Sequence, residues 1–138
     1  MQTANNVVRL NHIFVPLIME IKVHGNGANK VAELIAEGQQ IGNAEQGLQI
    51  LVDLYYQDFE KIILQEAHFT PDFFDLKTGL AGEILQKYSN FKVQLCIVGD
   101  FTKYESQSIK SFIYESNRGI RVNFLPSVEA ALKVYRCF

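Results

Sequence analysis

Short runs of hydrophobic residues, bounded by glycine, proline or polar residues, recur along the chain and predict buried strands. The runs cover residues 20–24, 30–36, 61–64, 93–98 and 120–125. Between the runs, apolar residues recur at the spacing of one helix face. The clearest example comprises Leu80, Ala81, Ile84, Leu85 and Tyr88, and a later one comprises Ile109, Phe112 and Ile113. The predicted order of elements is ββαβαβαβα.

The connections between the runs predict how the strands are arranged. Residues 25–29, GNGAN, supply the positive φ angles that a hairpin loop needs, so we expect the first two strands to be antiparallel. Helices separate all the later strands, and right-handed crossovers make such strands parallel. The continuous apolar run 93–98 is typical of a strand that is buried on both faces. We therefore expect a single α/β domain with a mixed, mostly parallel sheet and packed helices.

The chain is organised around residues 65–88, QEAHFTPDFFDLKTGLAGEILQKY, which join a predicted strand to a predicted helix. The sequence TPD at residues 70–72 has the features of a helix start, namely a hydroxyl cap, a fixed φ angle and a carboxylate at the positive end of the helix dipole. Gly79 and Gly82 would each weaken one continuous helix by about 1 kcal/mol. A short turn is therefore expected first, followed by a second helix start near Thr78.

The composition fits one well-packed domain. The chain has 138 residues, of which 48% are hydrophobic and 12% aromatic, which is enough for a filled core. Its net charge is -2, and its lysines and arginines are dispersed along the chain. Nucleic acid is not an expected partner, because such binding depends on neutralising several phosphates at once.

The first 18 residues and the two cysteines indicate where in the cell the protein is expected. Polar residues and Pro16 interrupt the apolar positions of residues 1–18, so this segment is too broken for a transmembrane helix and lacks the layout of a signal peptide. No membrane association is expected. Cys96 lies inside an apolar run and Cys137 lies beside the C-terminus, as expected for two reduced thiols in a cytoplasmic protein.

Two long phrases carry a resemblance to a known family. TPDFFDLKTGLAGEILQKY at residues 70–88 and CIVGDFTKYESQSIKSFIYESNRG at residues 96–119 resemble a bacterial family named domain of unknown function 4180. The likeness extends over residues 19–135, and it implies a fold and no activity. Residues 1–18 are accordingly expected to be an N-terminal extension that is dispensable for folding, and residues 19–138 to form the domain.

A more distant resemblance is to the STAS domains, the anti-sigma-factor antagonist fold, whose order of elements is the one predicted here. In those domains an aspartate, two hydroxyl residues, a glycine and a leucine open the helix after the third strand, and one hydroxyl is a phosphoacceptor. Residues 75–80, DLKTGL, occupy that place, with Lys77 where a hydroxyl is expected. The resemblance implies a STAS-like regulatory module with Thr78 as a phosphoacceptor.

Polar and aromatic side chains are expected to meet at one edge of the sheet. In open α/β sheets ligands bind beyond the carboxyl ends of the strands, where the loops 68–79 and 99–105 converge. If their strands are neighbours, two groups of residues face each other across one rim. The first group comprises Asp72, Asp75 and Lys77, and the second comprises Asp100, Lys103 and Tyr104. These residues either form a recognition surface, or the carboxylates cap helices and the aromatic residues complete the core.

Phe73 and Phe74 belong to the same rim. Adjacent residues on a helical turn point about 100° apart, so the two rings cannot both face the core squarely. We expect one ring to lie in the core and the other to be an exposed aromatic anchor of the kind enriched at protein interfaces.

His68 and Asp72 are candidates for an acid–base pair, with Glu66 and Glu83 as further carboxylates. Proton transfer also requires a substrate pocket and a positioned partner, which the sequence does not reveal. The sequence contains no Ser-His-Asp signature, Walker loop, dinucleotide glycine motif or metal-ligand spacing. No catalytic residue, cofactor or metal is therefore predicted.

The sequence supports two functional hypotheses. The first is a small cytoplasmic interaction or regulatory module that presents residues 70–80 to an unknown protein partner and is switched by phosphorylation. The alternative is a small-molecule-binding protein or a modest enzyme that uses the same rim, for which a cleft of roughly 300 Å³ or more with inward polar groups would be the sign. Whether the chain forms a homodimer is open.

Overall fold

A computed structural model describes residues 7–10 and 19–136 of the chain. The strands of this part are β1 (Val7–Leu10), β2 (Met19–His24), β3 (Val31–Ile35), β4 (Lys61–Gln65), β5 (Gln94–Val98) and β6 (Val122–Leu125). Its helices are α1 (Ala44–Tyr55), α2 (Leu80–Asn90), α3 (Gln107–Asn117) and α4 (Val128–Val134). From β2 onward the order is ββαβαβαβα, which confirms the predicted order.

The strands form one mixed sheet in which their spatial order, β1-β2-β3-β4-β5-β6, is also their order along the chain. β2 and β3 pair antiparallel and β3 to β6 pair parallel, as predicted, and β1 adds a further antiparallel pair with β2. β1 lies in the segment expected to be an N-terminal extension, where it pairs with β2. That residues 1–18 are dispensable for folding stays a prediction.

The order of the strands decides which face each helix covers. From β3 to β6 every crossover steps to the next neighbour in the same direction, so right-handed connections place α1, α2 and α3 on one face. There, side chains such as Leu51, Ile84 and Ile109 enclose the larger core. α4 packs on the other face, where Ala131 and Tyr135 belong to a smaller cluster. No helix of the described residues is long and apolar enough to cross a bilayer.

Local signals in the sequence set the helix starts. The carboxamide oxygen of Asn43 accepts a hydrogen bond from the Gln46 N–H at 2.8 Å and so caps the start of α1. The hydroxyl of Ser127 caps α4 in the same way, accepting from the Ala130 N–H at 3.1 Å. α1 and α2 then pack closely, because the Tyr88 hydroxyl donates to the Gly47 carbonyl at 3.1 Å.

The crossover between β4 and α2 is broken into short 3-10 turns, as its glycines predict. Two of these turns span Pro71–Phe74 and Leu76–Thr78, and α2 begins only at Leu80. Gly79 has a φ angle of 77°, a left-handed conformation that favours glycine, and it occupies the position before α2. The hydroxyl cap expected at Thr70 is wrong, because its side chain makes no capping hydrogen bond.

Cys96 is a buried free thiol in β5, in agreement with its place in an apolar run. Burial raises the pKa of this thiol to about 11, so it stays protonated near neutral pH and behaves as a small core residue. Cys137 lies outside the described residues.

Leu64 and Ile97 are paired neighbours on β4 and β5, and both are fully buried in the larger core. Replacing either residue with alanine should lower the free energy of unfolding by about 2 to 5 kcal/mol, because the substitution removes apolar contacts and leaves a cavity. Chemical denaturation measures this loss. Ile120→Ala is the control, since Ile120 is 69% exposed and its replacement should cost less than about 0.5 kcal/mol. A similarly small loss at Leu64 or Ile97 would contradict the strand assignment.

Candidate functional site

The loops after β4 and β5 lie side by side at the carboxyl edge of the sheet. β4 and β5 are parallel neighbours, and their last residues, Gln65 and Val98, are partners in the register. The two strands are therefore neighbours, which is the condition under which the two groups of rim residues were expected to face each other. Two clefts open along this edge, one polar and one apolar.

The polar cleft has a volume of about 350 Å³ and lies between the loops that follow β3, β4 and β5. Its centre is Glu66, whose Oε2 atom lies 2.7 Å from the Nζ atom of Lys103. The Tyr104 hydroxyl donates a hydrogen bond to the same oxygen. Gly99 makes room for this carboxylate, because a Cβ atom at position 99 would lie only 2.6 Å from the Glu66 side chain.

Tyr104 is fixed from two sides. Its ring stacks on Phe74, with the ring centroids 5.0 Å apart and the planes 23° from parallel. Burial raises the pKa of Tyr104, and the hydrogen bond to Glu66 and the charge of that carboxylate raise it further. The hydroxyl therefore remains protonated and continues to donate to Glu66.

The exposed aromatic anchor predicted at Phe73 or Phe74 is wrong. Phe73 is 1% exposed and Phe74 is 8% exposed. The two residues lie on a 3-10 turn, in which successive side chains are about 120° apart, so they need two apolar surfaces. The core supplies one, since the rings of Phe69 and Phe73 are 4.2 Å apart. The loop after β5 supplies the other, where Phe74 meets Tyr104.

The predicted carboxylates at the ends of these loops serve as local caps. Asp75 accepts a hydrogen bond from the Lys77 N–H at 3.2 Å. Asp100 accepts hydrogen bonds from the hydroxyl and the N–H of Thr102, which lower the pKa of its carboxyl group. This arrangement matches the alternative in which the carboxylates cap turns. Asp72, Asp75 and Lys77 are exposed, and none of them lines either cleft.

The hydroxyl of Thr78 holds the crossover together. Its oxygen lies 2.8 Å from the Asp72 carbonyl and 2.9 Å from the Asp75 carbonyl, which share its single hydrogen, and it accepts from the Leu80 N–H at 3.2 Å. Thr78 is exposed, and its role as a phosphoacceptor stays a prediction. A phosphate ester at this oxygen has no hydrogen to donate, so modification would break both bonds to the carbonyls.

His68 is not paired with Asp72, so the candidate acid–base pair does not form. The imidazole is buried, its Nδ1 atom accepts from the Gln65 N–H at 3.0 Å, and its Nε2–H donates to the Ala36 carbonyl at 3.1 Å. These bonds tie β4 to the loop after β3 and leave no ring nitrogen for a substrate. Burial lowers the pKa of His68, so the ring is neutral. Glu83 lies on the exposed side of α2.

The apolar cleft has a volume of about 570 Å³ and lies between α3, the loop after β5 and the end of β6. Its apolar walls are formed by Phe101, Ile113, Tyr114, Phe124, Leu125 and Pro126. This site was not predicted, because the sequence indicated only an inward face for α3. The signal was nevertheless present, since Lys110, Ile113, Tyr114 and Asn117 recur at the spacing of a second helix stripe.

Asn117, the last residue of α3, closes one side of the apolar cleft. Its Oδ1 atom accepts from the Phe124 N–H at 2.7 Å, and its Nδ2 atom donates to the Phe124 carbonyl at 3.1 Å. The carboxamide is therefore used by the backbone of β6.

The fold and the two clefts define a single α/β domain with a candidate binding site at the carboxyl edge of its parallel strands. A family model described as "Domain of unknown function (DUF4180)" matches residues 26–134. The chain belongs to this family, which confirms the first resemblance, whereas the likeness to STAS domains stays an expectation. No curated protein matches the chain.

The buried His68 should make the fold sensitive to mild acid. Its pKa in the folded state lies below its ordinary value of 6.5, so the unfolded chain binds the proton more readily. The stabilisation is complete above the ordinary pKa and is lost as the pH falls below it, by at most about 1.4 kcal/mol per pH unit. Denaturant titrations between about pH 7.5 and 5.5 should show a steeper loss for the wild type than for His68→Gln. Equal pH slopes for wild type and His68→Gln would refute this role of His68.

Thr78→Ala should lower the free energy of unfolding by about 1 kcal/mol, because it removes the hydroxyl that accepts from the first N–H of α2 and bridges two carbonyls. Thr78→Ser keeps the hydroxyl and should stay close to the wild type. Thermal and denaturant melts of the two variants provide the comparison. If alanine and serine had the same effect, the hydroxyl would have no part in holding the crossover.

Proposed function

We propose that the chain is a small-molecule-binding protein whose ligand lies in the apolar cleft. The observation that carries the proposal is the cleft itself, about 570 Å³ in volume with six apolar residues in its walls. Ligand sites in proteins typically occupy about 300 to 1,000 Å³ and combine apolar walls with a few polar groups. Here the polar groups are Asp100, Thr102, Lys110 and Asn117.

The position of the cleft also supports ligand binding. It opens beyond the carboxyl ends of β5 and β6, where ligands of parallel α/β sheets characteristically bind. Its wall at Phe101 is held in place, because this ring packs edge-on against Phe124 at 5.3 Å. The Glu66 contacts to Lys103 and Tyr104 fix the same loop from the other side. A preformed wall reduces the ordering that binding requires.

A protein partner at residues 70–80 is the weaker proposal. Stable interfaces usually depend on a few large aromatic or arginine side chains that enter the partner. Phe73 and Phe74 are buried, and the exposed side chains Asp72, Asp75 and Lys77 are polar. This surface has no such anchor among the residues described.

The proposal is binding rather than catalysis. The titratable side chains that line the apolar cleft are Asp100, Lys110 and Tyr114, and all three are exposed. Among the described residues none of them is hydrogen-bonded to another, so these three side chains do not form the coupled acid and base that proton transfer requires.

Tyr114→Ala should weaken the binding of the neutral dye Nile red by about tenfold, because it removes an aromatic wall of the cleft. Fluorescence titration of the folded protein gives the dissociation constant. Tyr56→Ala is the matched control, since Tyr56 is 79% exposed, Tyr114 is 64% exposed, and Tyr56 lies outside both clefts.

A second variant tests the same cleft by filling it. Thr102→Trp places a bulky ring at an exposed lining position and should abolish dye binding without unfolding the protein. Circular dichroism confirms the fold. If the dye bound equally to wild type, Tyr114→Ala and Thr102→Trp, the apolar cleft would not be the binding site.

A further inference from the structure

The α3 wall of the apolar cleft contains a cation without a partner. Lys110 lies one helical turn before Ile113 and Tyr114 on the stripe that faces the cleft. Within the described residues, Lys110 makes no ion pair and its ammonium group makes no hydrogen bond. Asn117, the other polar residue of the stripe, is already bonded to the backbone of Phe124. A ligand in the cleft therefore meets one free positive charge on this side.

The carboxylate on the opposite wall, Asp100, is held by hydrogen bonds within the protein. Asp100 accepts two hydrogen bonds from Thr102. Lys103 also interacts with it electrostatically. The carboxylate is fully exposed to water, which screens its charge further. Of the two charged groups in the lining, the Lys110 ammonium group is therefore the one without a hydrogen-bond partner among the described residues, which favours an anionic head group on its side of the cleft.

We infer that the ligand of the apolar cleft is an amphipathic carboxylate, with its apolar body between Phe101, Ile113 and Phe124 and its carboxylate on Lys110. The inference rests on the proposed function and specifies the ligand class of that site. Lys110 is exposed, so the carboxylate lies at the mouth of the cleft, where it keeps part of its hydration. The apolar body supplies most of the affinity, and Lys110 selects the head group.

A single carboxylate fits the lining better than a phosphate. Phosphate sites typically combine arginine, several backbone N–H groups or a helix N-terminus around one dianion. The lining of the apolar cleft offers one lysine and no arginine. Lys110 is three residues inside α3, and the first turn of this helix is capped by the Ser106 hydroxyl.

The test uses three ligands with the same alkyl chain and different head groups: decanoate, decanol and decylamine. Each is titrated against the protein loaded with Nile red, at neutral pH and low salt. Decanoate should displace the dye about two to five times more strongly than decanol, and decylamine should be the weakest, as expected for one exposed ion pair. Added salt should remove the preference, because it screens the pairing with Lys110.

Two variants that change the net charge equally test whether Lys110 causes the preference for decanoate. Lys110→Gln should lose the preference for decanoate over decanol. Lys133→Gln changes the net charge equally, at an exposed position of α4 on the other face of the sheet, and should retain the preference.

Several results would overturn the inference. Equal affinity for decanoate and decanol, or tighter binding of decylamine, would refute the ligand class while leaving the cleft as a binding site. A preference that survives in Lys110→Gln would refute the role of Lys110. If none of the three ligands displaced the dye, and Tyr114→Ala did not affect dye binding, both the ligand class and the proposed function would fall.

Discussion

The carboxylate of Glu66 joins the two loops on which the shape of the carboxyl edge depends. One of its oxygens receives both the Tyr104 hydroxyl and the Lys103 ammonium group, and the side chain lies directly against Gly99. A partly buried carboxylate is stable only where donors replace its lost water, so the loop after β5 must keep both residues in place. The same loop carries Phe101 into the apolar cleft. The contacts of Glu66 in the polar cleft thus hold in place the loop that carries Phe101, which forms a wall of the apolar cleft.

The strand order explains why the clefts lie between consecutive loops. In doubly wound sheets the ligand crevice forms where the strand order reverses. Here the order runs from β1 to β6 without reversal, and three consecutive helices share one face. Loops at the carboxyl edge therefore stand in a row. Space for a ligand arises where one loop and its helix draw apart from the next strand, as α3 and β6 do around Phe124.

The sequence predicted the architecture well because strand and helix periodicities depend on nearby residues. The runs that became β4 and β5 and the cap at Asn43 are of this kind. Burial of Phe74 was not predictable, because the surface that covers it comes from Tyr104, thirty residues further along the chain. The same holds for the neutral, buried His68, whose partner is the Ala36 carbonyl on another loop.

The candidate site was predicted only in part, for a related reason. Lys103, Tyr104 and Asp100 do lie at the carboxyl edge, but Lys103 and Tyr104 bind Glu66, and Asp100 caps its own turn. The apolar cleft was missed, because a stripe that contains Lys110 and Asn117 resembles an ordinary solvated helix face. Only the distance between α3 and β6 reveals that this stripe borders a cavity.

The Asn117 side chain also has a consequence for self-association. A strand at the border of a sheet exposes backbone N–H and carbonyl groups that can template the addition of another chain. On β6 the outward groups of Phe124 are occupied by the carboxamide of Asn117, which imitates the backbone of a further strand. A further strand could therefore pair with these two groups of Phe124 only after the Asn117 carboxamide had been displaced.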